Sequence, residues 1–112
     1  MMKRCLLLVF FGISLFAQEV QDRLRKQALN GDKESMLKLA HEYFHGSESR
    51  RPDRTIASYW YRKAAEAGVP EGMYNYGVCL LNGYGTNCNR YEAVQWFRKA
   101  ADAGVKMARL HV

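Results

Sequence analysis

The chain has 112 residues, 48% of them hydrophobic, which is enough for one small domain but not for several. Its formal net charge of +6 falls to +4 when residues 1–17 are removed, because Lys3 and Arg4 are lost and no acidic residue is. The aromatic residues follow a repeat pattern and do not alternate with basic residues, so nucleic acid is excluded as the expected partner.

Residues 1–17 carry the pattern of a cleaved signal peptide. Lys3 and Arg4 precede an apolar run over residues 5–17 that is too short to span a bilayer comfortably, and the polar Gln18 follows. We predict cleavage after Ala17, a secreted or periplasmic mature chain, and no stable membrane insertion after cleavage. An uncleaved membrane anchor is the alternative.

The rest of the chain is dominated by one segment that occurs twice. Residues 57–68 and 93–104 match at an offset of 36, and the preceding residues 36–46 and 73–83 correspond at an offset of 37. A period in the thirties is typical of a helical solenoid, in which each unit needs a stacked neighbour to bury its apolar face. The predicted fold class is therefore all-α, an α-solenoid of helix-turn-helix repeats.

Taken in order, the chain after residue 17 divides into four segments. Residues 18–31 are predicted to form an amino-terminal capping helix, because residues 24–28 align with the second helix of the next unit. The first repeat covers 32–68, the second covers 69–104, and residues 105–112 begin an incomplete third repeat. The predicted boundary residues are Asp32, Asp53 and Asn89 as N-caps, Pro70 in a first turn, and Gly83 and Gly85 at a bend.

One face of each predicted helix carries small and aromatic residues at helical spacing, which indicates the core. The repetition of the same residue types in both units favours packing over ligand stacking for these aromatics. The predicted core residues are Met36, Leu39, Ala40, Tyr43, Ala57, Trp60 and Ala64 in the first unit, and Met73, Tyr76, Gly77, Leu80, Ala93, Trp96 and Ala100 in the second.

These residues resemble the Sel-one-like repeat family, relatives of the tetratricopeptide repeat, over about residues 20–112. The first unit departs from the family pattern, with Ala40 where the family has glycine and with no second glycine after Gly46. The resemblance implies a TPR-like superhelix that acts as a scaffold for protein or peptide partners. The second unit carries the match through Tyr76-Gly77, Gly83-Tyr84-Gly85, Asn89, Ala93, Trp96, Lys99-Ala100-Ala101 and Gly104.

The first helix of each unit has side chains that the packing pattern does not use. In tetratricopeptide-like arrays this face lines a concave groove, and here it is more apolar than a solvated face requires. We therefore predict a non-catalytic, cofactor-free scaffold that binds a protein or peptide here, unless a cap or second copy covers the face. The predicted partner-binding residues are Leu37, Lys38, His41, Phe44, His45, Tyr74, Asn75, Val78 and Leu81.

Residues 41–45 read His-Glu-Tyr-Phe-His, which matches the H-E-x-x-H motif of zinc proteases. Tyr43 occupies a core position of the repeat, the second unit has no histidine at the equivalent positions, and no third ligand follows. Zinc binding is therefore an alternative reading, and we predict no metal site. A loose basic cluster at Arg50, Arg51 and Arg54 is read either as a contact for an acidic partner or as a solvated loop.

Two cysteines remain after the predicted signal peptide. Cys79 lies four residues before Gly83 and Cys88 lies five after it, so a tight hairpin in an oxidising compartment favours a disulfide between them. Two free thiols are the alternative. The resemblance also implies a second function, because some cysteine-rich family members are described as penicillin-binding or weakly β-lactam-hydrolysing. Their cysteines usually link consecutive units, whereas this pair lies within one unit. A serine followed three residues later by a lysine is also expected to be absent, which weakens this second implication.

Overall fold

The computed structural model describes residues 18–48 and 50–112, in which all regular elements are helical and no strand occurs. The predicted all-α solenoid is confirmed. The signal-peptide assignment concerns residues outside this description and stays a prediction. Within the described ranges, no helix has both the length and the apolar character needed to cross a membrane. The elements are α1 (18–29), α2 (Lys33–His45), α3 (Arg54–Glu66), α4 (Pro70–Asn82), α5 (Arg90–Asp102) and the short 3-10 helix η1 (Lys106–His111).

Helices α1, α3 and α5 end in the same hydrogen-bonded turn. The backbone N–H of Gly31, Gly68 and Gly104 donates to the carbonyl three residues earlier, at 3.1, 3.0 and 3.0 Å, and each of these glycines has a positive φ. The next residue donates to the carbonyl five residues before it in all three turns, which is a Schellman arrangement. Helix α1 therefore ends as a second helix of a unit does.

The second helices also begin in the same way. Asp53 and Asn89 each precede a helix, and their side chains accept the backbone N–H three residues later, Ile56 at 3.1 Å and Glu92 at 3.0 Å. Asp32 precedes α2 as predicted but does not cap it in this way. Its carboxylate accepts the Ser35 hydroxyl at 2.6 Å instead.

Consecutive helices pack against each other from α2 to η1, and the core runs between them. Leu39, Ala40, Ala57, Ala93 and Ala100 are fully buried, as the repeat pattern predicts. Met36 and Met73 are only partly buried. Since flexible methionine side chains fill gaps at the margin of a core, the two residues still pack against it.

Two aromatic positions of the second helices differ from the prediction. Tyr61 and its counterpart Phe97 are 3% and 0% exposed and lie deeper than the tryptophans emphasised by the repeat pattern. Trp60 is buried, whereas Trp96 is only partly so. The reason is that α3 packs against two full helices, α2 and α4, while α5 packs against α4 and the short η1.

Candidate binding face on the first helices

The predicted binding residues lie on α2 and α4, and most of their side chains are half-buried. They rest against the core on one side and reach the surface on the other. We call the set of nine predicted residues the groove face. Lys38 and His45 are exposed, and the half-buried members are Leu37, His41, Phe44, Tyr74, Asn75, Val78 and Leu81.

His41 joins three helices through its two ring nitrogens. The Tyr61 hydroxyl of α3 is 2.6 Å from Nδ1, and the Glu71 carboxylate of α4 is 3.3 Å from Nε2. Burial raises the pKa of Tyr61 above its ordinary value, so the hydroxyl stays protonated. When that hydroxyl donates to Nδ1, the imidazole proton lies on Nε2 and faces Glu71. The repeat period did not indicate this bridge between the two units.

The two histidines of the H-E-x-x-H segment contact each other and neighbouring side chains. The rings of His41 and His45 stack with centroids 6.3 Å apart, and Tyr61 and Glu71 occupy both nitrogens of His41. Over residues 18–48 and 50–112, no group of three or more His, Cys, Asp or Glu side chains is placed to hold a metal ion. His41 is a packing and hydrogen-bonding group, and His45 makes ring contacts with His41 and Phe44.

Phe44 forms a second contact between the units. Its ring meets the Tyr84 ring, which lies in the loop after α4, with centroids 5.8 Å apart and planes inclined by 66°. The Arg54 guanidinium rests over both rings, with Cζ 4.7 Å from the Phe44 centroid and 4.3 Å from the Tyr84 centroid. We call Phe44, Tyr84 and Arg54 the aromatic notch.

Sequence reasoning missed the aromatic notch as a unit. The sequence indicates Arg54 only as part of a loose basic cluster, and Tyr84 only as a residue between two turn glycines. The structure divides that cluster, because the guanidinium of Arg50 lies over the Tyr43 ring at 4.5 Å while that of Arg54 lies in the notch. The sequence offers one weak signal for it, namely that Phe44 and Arg54 both lie close to the loop between α2 and α3.

The groove face also splits between the two units. Tyr74 makes its ring contacts with Phe97 at 5.7 Å and His111 of η1 at 5.9 Å. On α2, the His45 ring contacts the rings of His41 and Phe44. The Tyr61 ring of α3 contacts the same two rings. The structure therefore brings the three α2 members that carry rings together, while Tyr74 belongs to a separate aromatic group at the carboxy-terminal end.

The predicted disulfide is not present in this structure, in which Cys79 and Cys88 are free. Cys79 faces the core and is 1% exposed. Cys88 is exposed, and its thiol donates to the Leu81 carbonyl at 3.2 Å. Burial raises the pKa of Cys79 to about 11, although the charge of Arg54 opposes the rise.

The two thiols should therefore react at very different rates. In a chain carrying the C5S substitution, a disulfide-exchange reagent at about pH 8 should modify Cys88 quickly and Cys79 at least about 100-fold more slowly, because Cys79 is both protonated and shielded. Unfolding in denaturant should equalise the two rates. Two fast thiols would contradict the burial, and the absence of any reactive thiol would show that the disulfide forms.

Helix α2 does contain a Ser-x-x-Lys spacing, at Ser35 and Lys38, so the expectation that this spacing is absent is wrong. This spacing occurs at the nucleophilic serine of β-lactam-reactive enzymes. Here Ser35 is 3% exposed, and its hydroxyl donates to Asp32, with Gln27 also within 3.3 Å. Lys38 is exposed to solvent. A buried, hydrogen-bonded hydroxyl gives an acyl donor no access, so the pair is not a reactive site in this conformation.

The family model of the Sel1 repeat matches residues 33–69 and 70–105. Among solved structures, a Sel1 repeat protein from Oxalobacter formigenes is 32% identical, with a TM-score of 0.76, over 82% of this chain and 37% of that one. The protective antigen c5321 of uropathogenic Escherichia coli, which has an SLR fold, is 35% identical, with a TM-score of 0.71, over 79% of this chain and 19% of that one. This chain therefore spans well under half the length of either.

A third solved structure, cysteine rich protein B of Helicobacter pylori, has a TM-score of 0.78 and covers 86% of this chain and 71% of that one. Its identity to this chain is 24%, so the likeness shows the fold alone. A search of curated proteins finds no match. The comparisons thus agree on the repeat architecture.

Proposed function

Because the chain belongs to the Sel1 repeat family, whose repeats generally mediate protein interactions, we propose that it is a non-catalytic scaffold that binds a peptide segment of a partner protein on the groove face. The binding surface combines the first helices of the two units. The bound segment would contact the aromatic and aliphatic side chains of α2 and α4.

The observation that carries this proposal is the half-burial of five apolar groove-face side chains on two neighbouring first helices. Leu39 and Leu80 of the same helices are 0% and 2% exposed, so these helices bury the apolar residues that packing requires. The apolar groove-face residues keep part of their surface in water, which is characteristic of a binding surface. The five residues are Leu37, Phe44, Tyr74, Val78 and Leu81.

Polar groups at this face support peptide recognition rather than burial by a permanent cap. Lys38 and His45 are exposed beside the apolar residues, and Asn75 is half-buried. A peptide-binding face needs a few such groups to satisfy the backbone and side-chain polar atoms of the bound segment. A face covered for good by another helix would leave these groups without water.

We expect Phe44→Ser with Tyr74→Ser to abolish binding of peptides selected by the full chain from a random dodecapeptide library, because both rings supply contact area. Tyr59→Ser with Tyr91→Ser is the matched control, since those rings are 50% and 78% exposed and lie on the second helices. The binding of synthetic peptides by fluorescence anisotropy measures the effect. Circular dichroism checks that helicity is retained.

Equal binding by both double variants would reject the groove face. Self-association of the wild-type chain that is lost only in the Phe44 and Tyr74 variant would show that a second copy covers the face. Sedimentation equilibrium on the same samples distinguishes that outcome from peptide binding.

A further inference from the structure

Arg54 is held in a defined position but has no anionic partner. Its guanidinium contacts the faces of Phe44 and Tyr84, and the residue as a whole is exposed. Across the described parts of the chain, no carboxylate forms an ion pair with it and no acceptor takes a hydrogen bond from it. The two rings pack against adjacent sides of the guanidinium, so its remaining N–H groups are left to water or to an incoming ligand.

The other charges on this side of the fold leave that position free for an anion. In the described ranges, Glu71 is the acidic residue that forms an ion pair with a groove-face residue. Its partner is His41 and not Arg54. Asp53, which precedes Arg54, is occupied as the N-cap of α3 through Ile56. Lys38 is exposed on α2, and none of the nine groove-face residues is acidic.

Local helix energetics do not explain an arginine at this position. Arg54 is the first residue of α3, where the helix dipole favours acidic side chains and disfavours cations. Arg90 occupies the equivalent first position of α5 and is exposed, and it makes no ring contact among the described residues. Only the first of the two equivalent arginines is therefore held against aromatic faces beside the groove.

We propose that Arg54 binds a carboxylate side chain of the partner segment, so that the groove face selects an acidic peptide in which Asp or Glu lies next to an apolar residue. The planar guanidinium presents a two-point fork that matches a carboxylate, and prior restraint by the rings lowers the entropy lost on binding. The apolar neighbour would contact the exposed edges of Phe44 and Tyr84. This inference rests on the proposed function and specifies its ligand.

The test uses dodecapeptides selected by the full chain and synthesised with amidated carboxy termini, so that side chains supply the only carboxylates. Each peptide is also made with Asp and Glu replaced by Asn and Gln. We expect the neutral peptides to bind at least about tenfold more weakly to the wild-type chain. Arg54→Met should bind the acidic peptides as weakly as the neutral ones, because methionine keeps an apolar side chain beside the rings but removes the fork.

Arg90→Met is the matched control, since it changes the same helix position without touching the aromatic notch, and it should bind like the wild type. Equal binding of acidic and neutral peptides by the wild-type chain would overturn the inference. This comparison changes only the peptide, so it does not depend on whether a variant folds. Unchanged binding by Arg54→Met would overturn it as well.

These failures differ from a failure of the proposed function. If acidic and neutral peptides bind equally well and the Phe44 and Tyr74 variant binds neither, the groove-face proposal is supported and the acidic selectivity is rejected. If binding survives in that variant, both proposals fall. A drop in melting temperature for Arg54→Met with full acidic selectivity retained would assign Arg54 a purely structural role.

Discussion

Gly85→Ala should lower the free energy of unfolding far more than the same change at Gly68. Both glycines have a positive φ, +68° and +88°, so alanine is strained at either position, by about 1–2 kcal/mol. At Gly68 a Cβ would have no heavy atom within 4 Å, whereas at Gly85 it would lie 2.0 Å from the Arg54 carbonyl oxygen and 2.5 Å from the Thr55 nitrogen. Both of those atoms are backbone and cannot rotate away.

The loop after α4 would therefore have to move off the first turn of α3. We expect Gly85→Ala to cost about 2 kcal/mol or more beyond Gly68→Ala, a large share of the stability of so small a domain. Urea denaturation of the two variants followed by circular dichroism measures the difference. The same displacement would carry Tyr84 away from Arg54, so acidic peptides should lose affinity for any Gly85→Ala chain that stays folded. Equal stability of the two variants would show that the loop does not approach α3 this closely.

Phe97→Ala should be the most damaging truncation in α5. The Phe97 side chain is fully buried, stacks on His111 at 4.5 Å, and approaches Gly77 so closely that a Cβ there would lie 2.8 Å from the ring. Removal of a buried phenylalanine costs about 3–5 kcal/mol, because transfer energy is lost and a cavity remains. In a domain of this size the melting temperature should fall by more than about 10 °C.

Tyr91→Ala is the control for this change, since Tyr91 is an aromatic residue of the same helix and is 78% exposed. Its melting temperature should stay within a few degrees of the wild type by the usual behaviour of surface sites. Because Phe97 also supports Tyr74 and His111, its loss should loosen η1, which hydrogen exchange of residues 106–111 would detect. A Phe97→Ala chain as stable as Tyr91→Ala would contradict the observed packing.

The candidate site was predictable only in part. The nine groove-face residues followed from subtracting the packing positions from the repeat, and the structure places them on α2 and α4. Their division into two aromatic groups did not follow from that subtraction, because it depends on which second-helix ring lies beneath each side chain. The role of Tyr61, whose hydroxyl meets His41, was missed for the same reason.

The sequence by itself determined the repeat, the helices and their ends, because those features depend on residues close together in the chain. The caps at Asp53 and Asn89 and the turns at Gly68 and Gly104 are set by groups within five positions of each other. Tertiary structure alone decided that Phe97 is buried more deeply than Trp96, since this depends on what packs beyond the last helix. It also decided that Arg54 meets Phe44 and Tyr84, residues 10 and 30 positions away, because only the stacking of one unit on the next brings the three side chains together.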